Sequence, residues 1–117
     1  MNNWQGTGEA GVREPMSKDK YCEEIGTELI DAVVTASCGY FGCIEPSQVL
    51  VYDRHRRNWG TYNHRYRVIE LKRCVLGVLV HELAHHIVRT MYPEVPLRAH
   101  HEDRFYSVLQ ELHVMWG

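Results

Sequence analysis

His81, Glu82 and His85 spell HExxH, and each of these residue types has a part in metal-assisted hydrolysis. On a helix His81 and His85 lie one turn apart on one face, so both imidazoles can reach a single Zn²⁺. Glu82, about a quarter-turn round, can take a proton from a water held there. A zinc ion with three protein ligands keeps one position open, lowers the pKa of a bound water to about 7 from about 15.7, and polarises a scissile carbonyl. Glu82 can later hand the proton to a leaving amine, so hydrolysis of a peptide or amide bond is the expected chemistry.

The setting supports a metal. Residues 75–80 are all apolar or glycine, and a helical projection puts Leu76, Leu79, Val80, Leu83 and Ile87 opposite the two histidines. The histidine face also carries Cys74, Gly77, Val78 and Val88, so a second layer of protein should cover it. Two histidines and a glutamate in so apolar a segment each need a partner to offset burial.

A third protein ligand must come from elsewhere, and His86, Glu94, His100, His101, Glu102 and Asp103 are all close enough in sequence to supply it. Phe105, Val108, Leu109, Leu112, Met115 and Trp116 form one apolar stripe of an expected helix over 100–115. At about 100° per residue His101 falls on that stripe, with His100 and Glu102 to either side, so His101 is the expected ligand. Phe105, one turn below, should anchor it. His86 lies about 100° beyond His85, which suits a surface or supporting place.

The elements that must position these groups can be read in order. Residues 1–15 hold three glycines and no apolar period and read as a flexible leader; 16–117 then form one domain. Ser17 is a plausible N-cap for a helix over 17–37, with Tyr21, Ile25, Leu29, Ala32, Val33 and Ala36 on its buried face. Residues 48–52, 60–63 and 66–71 read as strands, with a tight turn near Asn63 and His64, giving a small antiparallel three-stranded sheet. The metal helix should run over 72–90, and Pro93 and Pro96 make 91–98 a loop. The fold class is α+β, a small sheet on one side of paired helices.

With HExxH followed by a loop and then His101 and, four residues on, Phe105, the chain resembles the zincin metallopeptidases. Within them it is most similar to the compact SprT-like group and related small metallohydrolases of actinobacteria and their phages. The resemblance covers roughly residues 17–115 and includes a hairpin in which Gly60 and Tyr62 lead into the strand before the metal helix. It implies a zincin-like domain with Zn²⁺ on His81, His85 and His101, Glu82 as catalytic base, and a peptide or protein substrate. Glu102 stands where the family has glycine. The zinc ribbon or DNA-binding tail of larger members has no counterpart here, so DNA-linked proteolysis is not part of the expectation.

Other features bound the alternatives. A length of 117 residues, 44% hydrophobic, suits one domain with a single modest core and room for one site. The net charge of -2 argues against a whole-protein polyanion binder, and no apolar run reaches membrane-span length. Basic and aromatic residues do gather at Arg54, Arg56, Arg57, Trp59, Tyr62, Arg65, Tyr66 and Arg67, a mixture that can hold nucleic acid. The plainer reading is a hairpin whose arginines lie over aromatic rings. Two rival functions follow: a zinc-dependent nuclease, and a non-enzymatic nucleic-acid or partner-binding module with a structural zinc. Cys22, Cys38, Cys43 and Cys74 include no CxxC pair and are expected to be reduced thiols of a cytoplasmic monomer, although Cys38 and Cys43 could close a small disulfide loop under oxidising conditions. No residue declares itself as the oxyanion partner; Tyr62, Arg98, Arg104 and Tyr106 are candidates by proximity in sequence alone.

Overall fold

The computed structural model describes residues 24–52 and 59–117. The expected leader over 1–15, the proposed N-cap Ser17, and Arg54, Arg56 and Arg57 of the basic hairpin lie outside them. Three helices and one sheet follow in the order α1 (Thr27–Phe41), β1 (Gln48–Val51), β2 (Gly60–Asn63), β3 (Val68–Leu71), α2 (Leu76–Met91) and α3 (Asp103–Trp116), with a 3₁₀ turn at Leu97–Ala99. No helix among the described residues is long and apolar enough to cross a membrane.

The fold class is the expected α+β, but the sheet is mixed and not antiparallel. Its order is β1-β3-β2, with β1 parallel and β2 antiparallel to β3. Strand β3 carries Ile69 and Leu71, both fully buried, so it gains most from neighbours on both sides, and the chain places it between the other two. Only the β2–β3 hairpin is tight. Asn63 Oδ1 accepts the backbone N–H groups of Arg65 (3.0 Å) and Tyr66 (2.9 Å), and Arg67 takes the left-handed φ of 57° that closes the turn.

The helix expected over 17–37 is not continuous, and those expected from 72 and 100 begin later, at Leu76 and Asp103. Residues 24–26 are not helical: Glu24 forms an isolated antiparallel bridge with Val75, and Ile25 N–H donates to the Cys74 carbonyl at 3.0 Å. The Trp59 carbonyl accepts from both Lys72 N–H and Arg73 N–H. These pairings hold 72–75 extended, so α2 begins at Leu76 and α1 at Thr27. The buried face of α1 is only in part the expected one: Val33 is fully buried. Ile30, Val33, Val34, Ser37 and Cys38 face the core, whereas Leu29 is 43% exposed and Ala32 and Ala36 are exposed. Two i, i+3, i+4 stripes overlap on this helix; the one richer in branched side chains buries more apolar volume, and exposing alanine costs little.

Helix α2 is the centre of the molecule. Leu79, Val80, Leu83, Ala84, Ile87 and Val88 are fully buried among β2, β3, α1 and α3. The stripe of α3 is as expected, with Phe105, Val108 and Leu112 buried and Leu109, Met115 and Trp116 packed at the core's margin. Trp116 Nε1–H donates to Ser37 Oγ (2.9 Å), tying the end of α3 to α1.

Candidate metal centre

His81 and His85 project from α2 toward the segment between the 3₁₀ turn and α3, where His101 meets them. One ring nitrogen from each of the three lies within 4.8 Å of the others. His85 Nε2 and His101 Nε2 are 3.1 Å apart, with ring planes at 71° and centroids only 4.8 Å apart, so the two edges converge on a common point. Two nitrogens about 2.0–2.1 Å from one tetrahedral ion stand about 3.4 Å apart, and this pair is close to that. Phe105, fully buried, touches all three rings with centroids 5.1, 4.6 and 5.0 Å from those of His81, His85 and His101. The expected anchor therefore floors the whole cluster.

His100 corrects the expectation that His101 alone faces inward. Helix α3 begins at Asp103, so neither histidine is on it and the helical projection does not apply to them. His100 is 4% exposed, while His101 is exposed and reaches the site from its rim. The two histidines engage opposite nitrogens of His85. His100 Nδ1 lies 3.3 Å from His85 Nδ1, the ring planes differ by 11°, and the centroids are 5.5 Å apart. That centroid separation exceeds the N···N distance by about two ring radii, so the rings lie in line in nearly one plane. Such a pair shares a hydrogen bond; an ion between the nitrogens would sit about 1.7 Å from each, shorter than any zinc–nitrogen bond. Were His85 Nε2 to serve as a ligand beside His101, its Nδ1 would carry the proton and donate to His100 Nδ1. His64 stands edge-on to His100 (4.7 Å), and its buried Nδ1 has no hydrogen-bond partner among the described residues.

Glu82 is 7% exposed, and burial, partly countered by Lys72, pushes its carboxyl up to about 7. It lines an open cleft of about 380 Å³ with His81, His85, His101, His64, His100, Leu97 and residues 60–62 of β2. Gly60 makes that approach possible: a Cβ there would lie 2.6 Å from Val78 Cγ1 and 3.4 Å from Glu82 Cγ. Burial also lowers the basicity of His81, and of His85 to about 3, with the neighbouring histidines adding to it, so the rings are neutral and their lone pairs available.

His86 is not a surface residue. It is fully buried, with Nε2 2.7 Å from the Ile44 carbonyl and Nδ1 2.8 Å from the Tyr62 hydroxyl. A carbonyl only accepts, so Nε2 carries the proton and Nδ1 accepts from Tyr62. Tyr62 lines the cleft, but its hydroxyl is committed to His86. Of the other oxyanion candidates, Arg104 lies over the Tyr92 ring (4.2 Å), and Tyr106 and Arg98 are exposed; none of the three lines the cleft. Glu94, Glu102 and Asp103 join no metal-ligating group among the described residues.

In the described part of the basic hairpin one of the expected arginines, Arg65, lies over an aromatic ring, that of Tyr66, at 5.4 Å. Arg73 lies over Trp59 at 4.1 Å, while Arg67 is half-buried. Compared with known proteins, the chain matches no family model, no curated protein and no solved structure. Its chemistry is therefore argued from the site itself. His64 is a cleft residue that motif reasoning missed, and His100, weighed as a ligand and set aside, is another in the cleft; the available signal was the number of histidines, eight in 117 residues.

Proposed function

We propose that this protein is a zinc-dependent metallohydrolase of zincin, SprT-like type, and that its substrates are peptide bonds. The observation that carries this reading is the convergence of His81, His85 and His101 beside the buried carboxyl of Glu82 in one open cleft. Three imidazoles and no carboxylate in the cluster suit zinc among the common divalent ions. When bound there, zinc supplies Lewis acidity toward a carbonyl and acidifies a water. The chain's own residues do the rest. His100 holds the orientation of His85, Phe105 fixes the ring positions, and Glu82, poised at about 7, accepts a proton and returns it to the leaving amine at neutral pH.

Peptide is favoured over other carbonyl substrates by β2. Among the described residues this strand pairs only with β3 and is an edge strand of the sheet, and residues 60–62 border the cleft. An extended peptide can add to such an edge and bring a backbone carbonyl toward the metal. The nuclease and structural-zinc readings gain no such support from the described residues, and both are outcomes of the test. Elemental analysis of purified protein should find about one equivalent of zinc, lost in His81→Ala and His85→Ala. Metal-free protein that gains no melting temperature on zinc addition would remove the proposal.

A further inference from the structure

The second concentration of reactive side chains lies behind the metal helix. Cys38, in the last turn of α1, and Cys43, just past the left-handed Gly42 (φ 73°), have sulfurs within 4.8 Å of each other, and Cys43 N–H donates to the Cys38 carbonyl at 3.0 Å. His86 is the third member of this group, but both its nitrogens are occupied by Ile44 and Tyr62, so the sulfurs are left as a dithiol and not as part of a ready metal site. The two thiols are unequal. Cys38 is 1% exposed; Cys43 is half-buried and lines a shallow groove of about 350 Å³ together with Arg67, Arg89 and Thr90. The Arg67 Nε is buried with no hydrogen-bond partner among the described residues. The Cys38 thiol beside the Cys43 sulfur draws Cys43 down to about 7, while the same neighbour and burial push Cys38 up. An accessible sulfur in a groove that two arginines also line, backed by a buried sulfur, has the layout of an attacking and a resolving cysteine.

We infer that Cys38 and Cys43 form a redox-active pair that reacts with small anionic disulfides entering along the Arg67–Arg89 groove. The Cys43 thiolate attacks one sulfur of the incoming disulfide, forming a mixed disulfide and expelling the first thiolate. The Cys38 sulfur then attacks the Cys43 sulfur, breaking the mixed disulfide, and its proton leaves with the second thiolate as that group is expelled. Two protein thiols are oxidised and one small disulfide is reduced to two thiols. The product clamps the end of α1 to the loop whose Ile44 carbonyl holds His86, the neighbour of His85 on α2.

Full-length protein treated with glutathione disulfide, with and without prior chelation, should lose two hydrogens in its intact mass and yield a cross-linked Cys38–Cys43 peptide. Cys38→Ser should stop at a glutathione adduct on Cys43, and Cys43→Ser should leave Cys38 unreacted. At low salt the anionic glutathione disulfide should react about tenfold faster than cationic cystamine, with the gap closing at high salt. A wild-type protein that retains a stable adduct on Cys43, or that reacts first at Cys74 or Cys22, would overturn the inference. So would equal rates for the two disulfides, or thiols that react only after a second equivalent of zinc has been chelated away. None of these results depends on whether the metal centre is a hydrolase.

Discussion

At the scale of single residues, the distinction that matters most is between the two ring nitrogens of His85. Nε2 faces His101 and Nδ1 faces His100, so the two adjacent histidines have different jobs. His101→Ala removes a ligand and should weaken zinc binding far more than His100→Ala, for which the loss should be about 10- to 100-fold, typical of a ligand's hydrogen-bond partner. His100→Gln, which keeps an acceptor, should recover part of it; competition against a chromogenic chelator measures all three. Equal dissociation constants for His100→Ala and His101→Ala would show that the ligand is assigned wrongly. Tyr62→Phe leaves the Nδ1 of buried His86 without its donor and should cost about 1–3 kcal/mol in chemical denaturation. The placing of His81 and His85 on one face beside Glu82 was legible because it depends on residue type and spacing, whereas His101 meets them from a turn to which the helical projection does not apply. His100 and the burial of His86 were not legible, because they depend on a turn and a loop carbonyl, Ile44, that no periodicity announces.

At the scale of elements, the site depends on how closely β2 and α3 approach α2. Gly60→Ala places a Cβ 2.6 Å from Val78 Cγ1, and the strand must move off the helix; overpacking of this kind costs about 1–3 kcal/mol. A lowered melting temperature with displaced Glu82 and reduced activity is the expected result, and an unchanged melting temperature would mean that β2 does not sit where described. Phe105→Ala empties the floor beneath three imidazoles and should cost about 3–5 kcal/mol, with weaker zinc binding, whereas Phe105→Leu should keep most of both. Strong apolar period made α2 and α3 readable, Val108 and Leu112 included. The starts of α1 and α2 were not readable, because the pairing of Glu24 and Ile25 with Cys74 and Val75 overrides local helical preference. The parallel β1–β3 pairing was hidden for the same reason: short strands carry no mark of the neighbour they will choose.

For the molecule as a whole, packing several neutral histidines into one small core makes the metal-free fold sensitive to acid. His85, lowered to about 3 chiefly by burial, and His86, also lowered chiefly by burial, refuse protons that the unfolded chain accepts near pH 6.5. Stability is therefore fully present above that pH and falls as pH drops through it, by about 1.4 kcal/mol per pH unit for each such histidine. Glu82, raised to about 7, works the other way between about 7 and its ordinary 4.5 and offsets one histidine there; below that window the fall steepens. Urea midpoints should drop between pH 8 and pH 5, and zinc, which binds only the folded chain, should raise them most at the alkaline end. A midpoint independent of pH would contradict the burial of these rings.

The central claim, that Glu82 acts as proton acceptor at a zinc held by His81, His85 and His101, is tested most directly by digesting a peptide library with zinc-loaded wild type and zinc-loaded Glu82→Gln side by side. Glutamine matches glutamate in shape but cannot take the proton. Wild type should cleave, and Glu82→Gln, carrying the same zinc, should not. Identical products from the two proteins, or no cleavage by fully loaded wild type, would contradict the account.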